Sequence, residues 1–242
     1  MGEKLLEGSV MTAEFDSHAK TYQATMERWT RMFGQTHAFF VRDKVERLLD
    51  AFIEVGPLKS LKVLDVGCGI GLGHDSIAQA VGELHGVDVS RESLNLATRK
   101  NPGVSYEAYE GNRLPHEDGI FDCVYAICVL HHVPKQQWPE LVQEMARVVR
   151  PGGRLVVIEH NPLNPATQWV VRTCEFDKDA ILLTPWKLRR LFINAGLCVP
   201  QVRYTLFTPF AQKFFRVLDR ALSRIPFGAQ YVVTGRKASL LN

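Results

Sequence analysis

In Gly67-Cys68-Gly69-Ile70-Gly71-Leu72-Gly73 every second residue is glycine, and the run follows directly on the apolar Val63-Leu64-Asp65-Val66. No other feature of the 242-residue chain constrains its fold as strongly. Four residues ending at Val66 suit a buried parallel strand. Glycines at 67, 69 and 71 tolerate dihedrals that other residues resist and let a ligand lie against bare backbone. A strand, a turn almost without side chains and then a helix make a nucleotide cradle. The run lacks the Gly-Lys-Ser/Thr ending of a phosphate-binding loop, so no lysine is in place to neutralise a triphosphate. A second apolar stretch, Leu84-His85-Gly86-Val87-Asp88-Val89-Ser90, sets Asp88 at the end of the next strand. There a carboxylate can accept both hydroxyl protons of a ribose through charge-assisted hydrogen bonds worth roughly 1.5–3 kcal/mol each.

Apolar runs predict core strands over 62–66, 83–88, 104–107, 121–126 and 154–159, alternating with helices that include 136–149. That alternation is the signature of an α/β fold, a mostly parallel sheet with helices on both faces and ligand sites outside the carboxyl ends of the strands. Ahead of it, a helical cover begins at Glu14 to Tyr22 and continues in an apolar-periodic stretch over 37–53, before Gly56 and Pro57 break the pattern. One domain is expected: cover 12–56, cofactor-binding core 60–159, substrate-side insertion 160–184 and the rest of the core 185–238. The insertion is too polar and too rich in Asn-Pro for a short crossover. Its prolines fix backbone shape at the end of the fifth strand, where a substrate pocket belongs. Pro185 opens a helix through Asn194 that Gly196 closes. The tail reads as a strand over 198–207, an amphipathic stretch over 210–225 and a last strand over 230–236.

Composition narrows the function. A formal charge of +3 without a basic block or interleaved aromatics argues against nucleic acid as a partner. No membrane-length apolar run and no amino-terminal signal pattern is present, so a cytoplasmic protein without membrane insertion is expected, as monomer or homodimer. The five cysteines form no Cys-x-x-Cys pair and read as small buried residues. The Asn/Asp-Pro-Pro-aromatic signature of amino-adenine methylation is absent.

Three further segments follow the glycine run in order: 110–122, Val124-Tyr125-Ala126-Ile127-Cys128-Val129-Leu130-His131-His132-Val133, and Val149-Arg150-Pro151-Gly152-Gly153-Arg154-Leu155-Val156-Val157-Ile158. With them the chain resembles the class I S-adenosylmethionine-dependent methyltransferases, in the small-molecule branch that includes ubiquinone and menaquinone methyltransferases, over approximately Phe15 to Lys237. The resemblance implies a Rossmann-like, seven-stranded sheet whose antiparallel last strand is inserted beside the sixth. It also implies S-adenosyl-L-methionine as cofactor and S-adenosyl-L-homocysteine as product. The cofactor-binding positions it suggests are Asp65, which orders the loop near the methionyl amine, and Gly67, Cys68 and Gly69 in the turn. Asp88 takes the ribose, with Val89 against adenine and Ser90 beside it. Glu110, Gly111 and Asn112 meet the adenine, although the family usually has aspartate at the first of these. Ala126 and Ile127 form the wall below the methyl donor, and Tyr22 meets the methionyl carboxylate or lids it.

The groups proposed to touch the acceptor or move a proton are His132, His131 and His160, because an imidazole titrates near neutrality. Each has a plainer reading as a cap or core residue. Glu159 is a neighbour able to orient His160, although strand alternation points adjacent side chains to opposite faces. No metal is expected, since neither histidine pair shows third and fourth ligands. Glu175, Asp177 and Asp179 lack calcium-loop spacing and read as a solvated, helix-capping cluster, with a pocket role for Asp177 as the alternative. The Phe214 and Phe215 pair is expected over the pocket or core, or in a dimer contact. The implied reaction is methyl transfer to a small, partly apolar, aromatic or heterocyclic acceptor at oxygen, nitrogen or carbon. Natural-product tailoring is the leading role and a quinone-biosynthesis methyltransferase the alternative. A non-catalytic S-adenosylmethionine-binding regulator is the competing class.

Overall fold

The computed structural model describes residues 22–31, 34–111, 113–210 and 212–239. Its elements are α1 (Tyr22–Arg31), α2 (His37–Phe52), β1 (Lys62–Val66), α3 (His74–Ala80), β2 (Glu83–Asp88), α4 (Arg91–Lys100), β3 (Ser105–Ala108), β4 (Phe121–Ile127), α5 (Trp138–Val148), β5 (Val149–His160), α6 (Pro165–Thr173), α7 (Pro185–Asn194), β6 (Leu197–Thr205), α8 (Lys213–Ala221) and β7 (Gln230–Lys237). The strands form one seven-stranded sheet in the order β3-β2-β1-β4-β5-β7-β6. β1 to β5 pair in parallel, while β7 runs antiparallel between β5 and β6.

Period-two alternation divides the buried side chains between two faces. Leu64, Val66, Val124, Ala126, Leu155 and Val157 join one core with Trp138, Leu141 and Met145 of α5 and Leu188 and Phe192 of α7. Val63, Cys123, Tyr125, Val156 and Ile158 join the other with Leu48 and Phe52 of α2 and Ile77 of α3. Full burial of each large apolar side chain contributes roughly 1.5–3 kcal/mol, so the cover helix α2 is bound to the sheet as part of the core.

Three local expectations are corrected. β5 starts at Val149 rather than at 154: β4 pairs first with Val149 and then, after a register shift, with Arg154. Gly153 permits this bulge, because a Cβ there would meet the Asp122 carbonyl oxygen at 2.6 Å. The amphipathic stretch is helical only over α8. Phe214 does not pack over pocket or core but is 71% exposed, with only Phe215 half-buried behind it. The insertion carries helix α6, capped by the Asn164 side chain on the Thr167 N–H, and Asn161 ties its start to the carbonyls of Pro226 and Gly228.

Candidate active site

The cradle forms where β1 runs out. The N–H groups of Gly67 and Cys68 both donate to the Val87 carbonyl at the end of β2, at 2.8 and 3.1 Å. Gly67 has φ +75° and a Cβ there would lie 2.6 Å from Val129, so the loop after β4 packs directly on the turn. Gly69, at φ +51°, faces open space, with nothing within 4 Å of a Cβ position. Its N–H donates to Asp88 Oδ2 at 2.7 Å and that of Ser90 to Oδ1 at 2.9 Å, so one carboxylate clamps both sides of the cradle. Each oxygen retains a further acceptor site for a ligand hydroxyl. Burial raises the Asp88 carboxyl above its ordinary value, against the pull of these two N–H groups. Ser90 also caps α4 by accepting from the Ser93 N–H.

A buried polar relay braces the same turn. His74, the first residue of α3 and 1% exposed, has Nε2 2.8 Å from Asp65 Oδ2 and Nδ1 2.7 Å from the Tyr106 hydroxyl. Asn101 Nδ2 donates to the Tyr106 oxygen at 3.2 Å and to the Gly71 carbonyl at 3.1 Å. All donors are satisfied when Tyr106 donates to Nδ1 and His74 Nε2–H donates to Asp65, a direction assigned from the partners' chemistry. Asp65 Oδ1 is buried towards the Tyr125 hydroxyl of β4, whose pKa burial and then the Asp65 charge push well above the ordinary value. The open cradle and the twofold clamp fit an adenosyl ligand.

Across Val129 lies a second cluster. Glu159, fully buried on β5, accepts from the N–H groups of Val129 (3.0 Å) and Leu130 (2.7 Å) with Oε1. Its Oε2 lies 2.6 Å from His131 Nδ1. It therefore orients His131, not His160. His131 Nε2 and His132 Nε2 stand 3.5 and 3.6 Å from Asp177 Oδ1. Asp177 is thus not part of a solvated cluster: it folds back from the insertion onto the histidines, its side chain 13% exposed. Burial opposes charge on His131, but Glu159 and Asp177 outweigh it and push the pKa well above the ordinary imidazole value. Burial and the neighbouring His131 charge pull His132 down to about 3. Its side chain is 21% exposed against 1% for His131, so His132 is the more accessible ring and His131 acts as a brace.

His160 is half-buried with its ring 5.1 Å from that of His131. It also flanks Cys128, a residue absent from the expected site. Cys128 takes the unusual φ of +56° at the end of β4, with Lys44 Nζ 3.7 Å and Gln230 Nε2 3.5 Å from its sulfur. Burial raises the thiol, but Lys44 and His160 more than reverse this and bring it to about 7. Cys68 is the opposite case: burial, then Asp65 and Asp88, push its thiol well above the ordinary range.

Ala126 is fully buried and Ile127 half-buried beside the cradle. Val89 is half-buried, 3.7 Å from a Cβ position on Gly111, and Glu110 is exposed. Asn112 and the side chain of Tyr22 lie outside the described residues. Sequence reading missed His74, Tyr106 and Asn101. The available signal was a histidine directly after a glycine run that follows a strand-end aspartate.

Comparison with known proteins agrees with this geometry. A methyltransferase-domain family matches residues 63–153, which takes in the cradle and both strand-end loops but stops before the insertion. The methyltransferase GfsG of Streptomyces halstedii is 37% identical over 40% of this chain, which spans 37% of that protein's length. A ubiquinone biosynthesis O-methyltransferase of Sinorhizobium fredii is 27% identical over 82% of this chain and 88% of its own. The fold matches the crystal structure of an S-adenosylmethionine-dependent methyltransferase, described as a possible histamine N-methyltransferase, from Thermotoga maritima, with TM-score 0.66, 20% identity and coverage of 94% and 99% of the two chains. Sheet order, cradle and relatives converge: residues 63–153 match a methyltransferase domain, and the chain is similar to S-adenosylmethionine-dependent methyltransferases, among them small-molecule enzymes of the ubiquinone and menaquinone type.

Proposed function

We propose that the protein transfers a methyl group from S-adenosylmethionine to a small, partly apolar acceptor of the quinone-precursor kind, with a hydroxyl oxygen as the attacked atom. The observation that carries this reading is the adjacency of the clamped cradle and the Glu159-His131-Asp177-His132 cluster, separated only by Val129. The relative from S. fredii named for ubiquinone biosynthesis supports the quinone reading over natural-product tailoring.

The sulfonium of S-adenosylmethionine supplies an electrophilic methyl carbon and a neutral leaving group. The chain's own task is to position, to exclude water and to receive one proton. Asp88 and the glycine turn fix the nucleoside and Asp65 the ammonium. Holding the acceptor in line recovers roughly 7–11 kcal/mol otherwise spent on bringing two reactants together. His132, neutral at physiological pH, takes the acceptor's proton at Nε2, and Asp177 stabilises the resulting imidazolium. Glu159 and His131 fix the loop that presents it.

The test is transfer of isotopically labelled methyl from S-adenosylmethionine to a polyprenylated catechol and to a metabolite extract, followed by mass spectrometry. Labelled catechol that disappears with Asp88→Ala supports the reading. A labelled product only from the extract moves the acceptor class, and no product despite cofactor binding rejects it. A second reading has one observation in its favour. Among the described residues, His131, His132 and Asp177 bring three ligand atoms within 4.8 Å, so the cluster has the donor set of a divalent cation site with an open side. Activity abolished by a chelator and restored by zinc or magnesium would select it.

A further inference from the structure

The five cysteines are free thiols in different surroundings. Cys68, Cys123 and Cys174 are buried, and loss of hydration pushes their thiols up, to about 12 at Cys123 and about 11 at Cys174. Such thiols are inert. Cys198 is exposed. Cys128 is half-buried just beyond the end of β4, and side chains from three other elements converge on its sulfur.

Lys44 Nζ of α2 lies 3.7 Å from Sγ and Gln230 Nε2 of β7 lies 3.5 Å from it. His160 of β5, opposite Gln230 in the β5–β7 ladder, is the third hydrogen-bonding group on the sulfur. Among the described residues no carboxylate forms an ion pair with Lys44, so its ammonium is directed to the sulfur. Donors gathered in this way favour the thiolate, the nucleophilic form. The one opposing charge, Glu159, is outweighed by Lys44 and His160. A second observation concerns the amide. Gln230 is 4% exposed, and with Nε2 on the sulfur its Oε1 is buried without a partner. An amide oxygen in that state carries its full desolvation cost and calls for a donor. A thiolate has no proton to give it. A sulfenic acid has one, on a hydroxyl one bond beyond the same sulfur.

We propose that Cys128 is a modification site for peroxide, oxidised to a sulfenic acid that Lys44, His160 and Gln230 hold. The thiolate attacks one oxygen of hydrogen peroxide: the S–O bond forms as the O–O bond breaks, the sulfur gives up two electrons and hydroxide leaves. The attacked oxygen keeps its hydrogen, which donates to Gln230 Oε1. Half-burial of Cys128, Lys44 and His160 leaves an approach for so small an oxidant. The next residue, Val129, packs on Gly67, so the modification lies one residue along the chain from the contact that closes the cradle. It stands without methyl transfer.

The test treats the full chain with hydrogen peroxide in the presence of dimedone, which traps sulfenic acids, and locates the adduct by peptide mass spectrometry. At pH 6 the adduct is expected on Cys128 ahead of the more accessible Cys198. Lys44→Met is expected to slow it about sixfold at that pH: a thiol returned from about 7 to an ordinary ~8.5 loses about thirtyfold in thiolate, while the thiolate that remains is about fivefold more nucleophilic. Lys44→Arg, which keeps the charge, is expected to restore the rate. Gln230→Leu is expected to hasten passage of the oxidised sulfur to sulfinic acid, which removal of dimedone from the assay reveals. An adduct confined to Cys198 overturns the proposal, as does a Cys128 rate that Lys44→Met leaves unchanged or that both lysine variants lose alike. So does a sulfenic acid that persists as long in Gln230→Leu as in wild type.

Discussion

Replacing His74 by phenylalanine tests whether the relay under the glycine turn is structural in the way its distances imply. The imidazole is 1% exposed and joins Asp65 to Tyr106 at 2.8 and 2.7 Å, so no water can take over its bonds. A phenyl ring fills nearly the same space but leaves Asp65 Oδ2 without its donor and the Tyr106 O–H without its acceptor, although the phenol oxygen still accepts from Asn101. The bond to the carboxylate is worth roughly 1.5–3 kcal/mol and the phenol's roughly 0.5–1.5, a total loss of about 2–4.5 kcal/mol. At about 2–4 °C per kcal/mol for a chain of this size, the melting temperature should fall by about 4–18 °C. Circular dichroism melts read this directly. Adding Tyr106→Phe should cost less in the His74→Phe background than in wild type, because its O–H has already lost its acceptor there and only the Asn101 bond remains. An unchanged melting point in the single variant, or strict additivity in the double, would refute the relay.

Three other outcomes follow from the site. Asp88→Ala should weaken S-adenosylhomocysteine binding by roughly ten- to a hundredfold, from the loss of at least one charge-assisted bond of ~1.5–3 kcal/mol; unaltered affinity by calorimetry would remove the ribose assignment. His132→Gln should lower kcat while leaving cofactor affinity in place. Because His132 titrates at about 3, the wild-type rate should show no imidazole-type fall between pH 7 and 5 from this group; a fall centred on pH 6.5 would exclude it as the proton acceptor. Burial holds His37 and His116 at about 4 and, with the His131 charge, His132 at about 3, all below the unfolded value of 6.5. The unfolded chain therefore binds more protons below pH 6.5, and stability present above that pH is lost towards pH 4, at up to roughly 1.4 kcal/mol per pH unit for each imidazole. His131, whose pKa is raised, is protonated in both states over that window and does not oppose the trend. A melting temperature constant from pH 7 to 4.5 would contradict the burial of these rings.

The sheet was legible because its strands are short apolar runs punctuated by glycine and proline, and the cradle because consecutive glycines after a strand serve few other purposes. Side-chain partnerships spanning many residues were not. Asp177 reaches His131 and His132 across the insertion, and no local pattern announces that a carboxylate in a polar segment is buried. Glu159 and His160 show what periodicity can settle: as neighbours on one strand they diverge, and the glutamate turns to the loop after β4. The start of β5 was misread for the opposite reason. Pro151-Gly152-Gly153 is strong turn chemistry, yet extended pairing continues through it as a bulge.

The position of β7 bears on how the chain reaches this state during synthesis. β6 pairs only with β7, and β7 must enter between β6 and β5. When β6 leaves the ribosome it therefore has no edge to join, and β5 presents an open, apolar edge of its own. Both are hazards for pairing with another chain until the last strand arrives. A stop codon a few residues before β7 would thus forfeit two strands rather than one, and chaperone dependence should be concentrated between the emergence of β6 and that of β7.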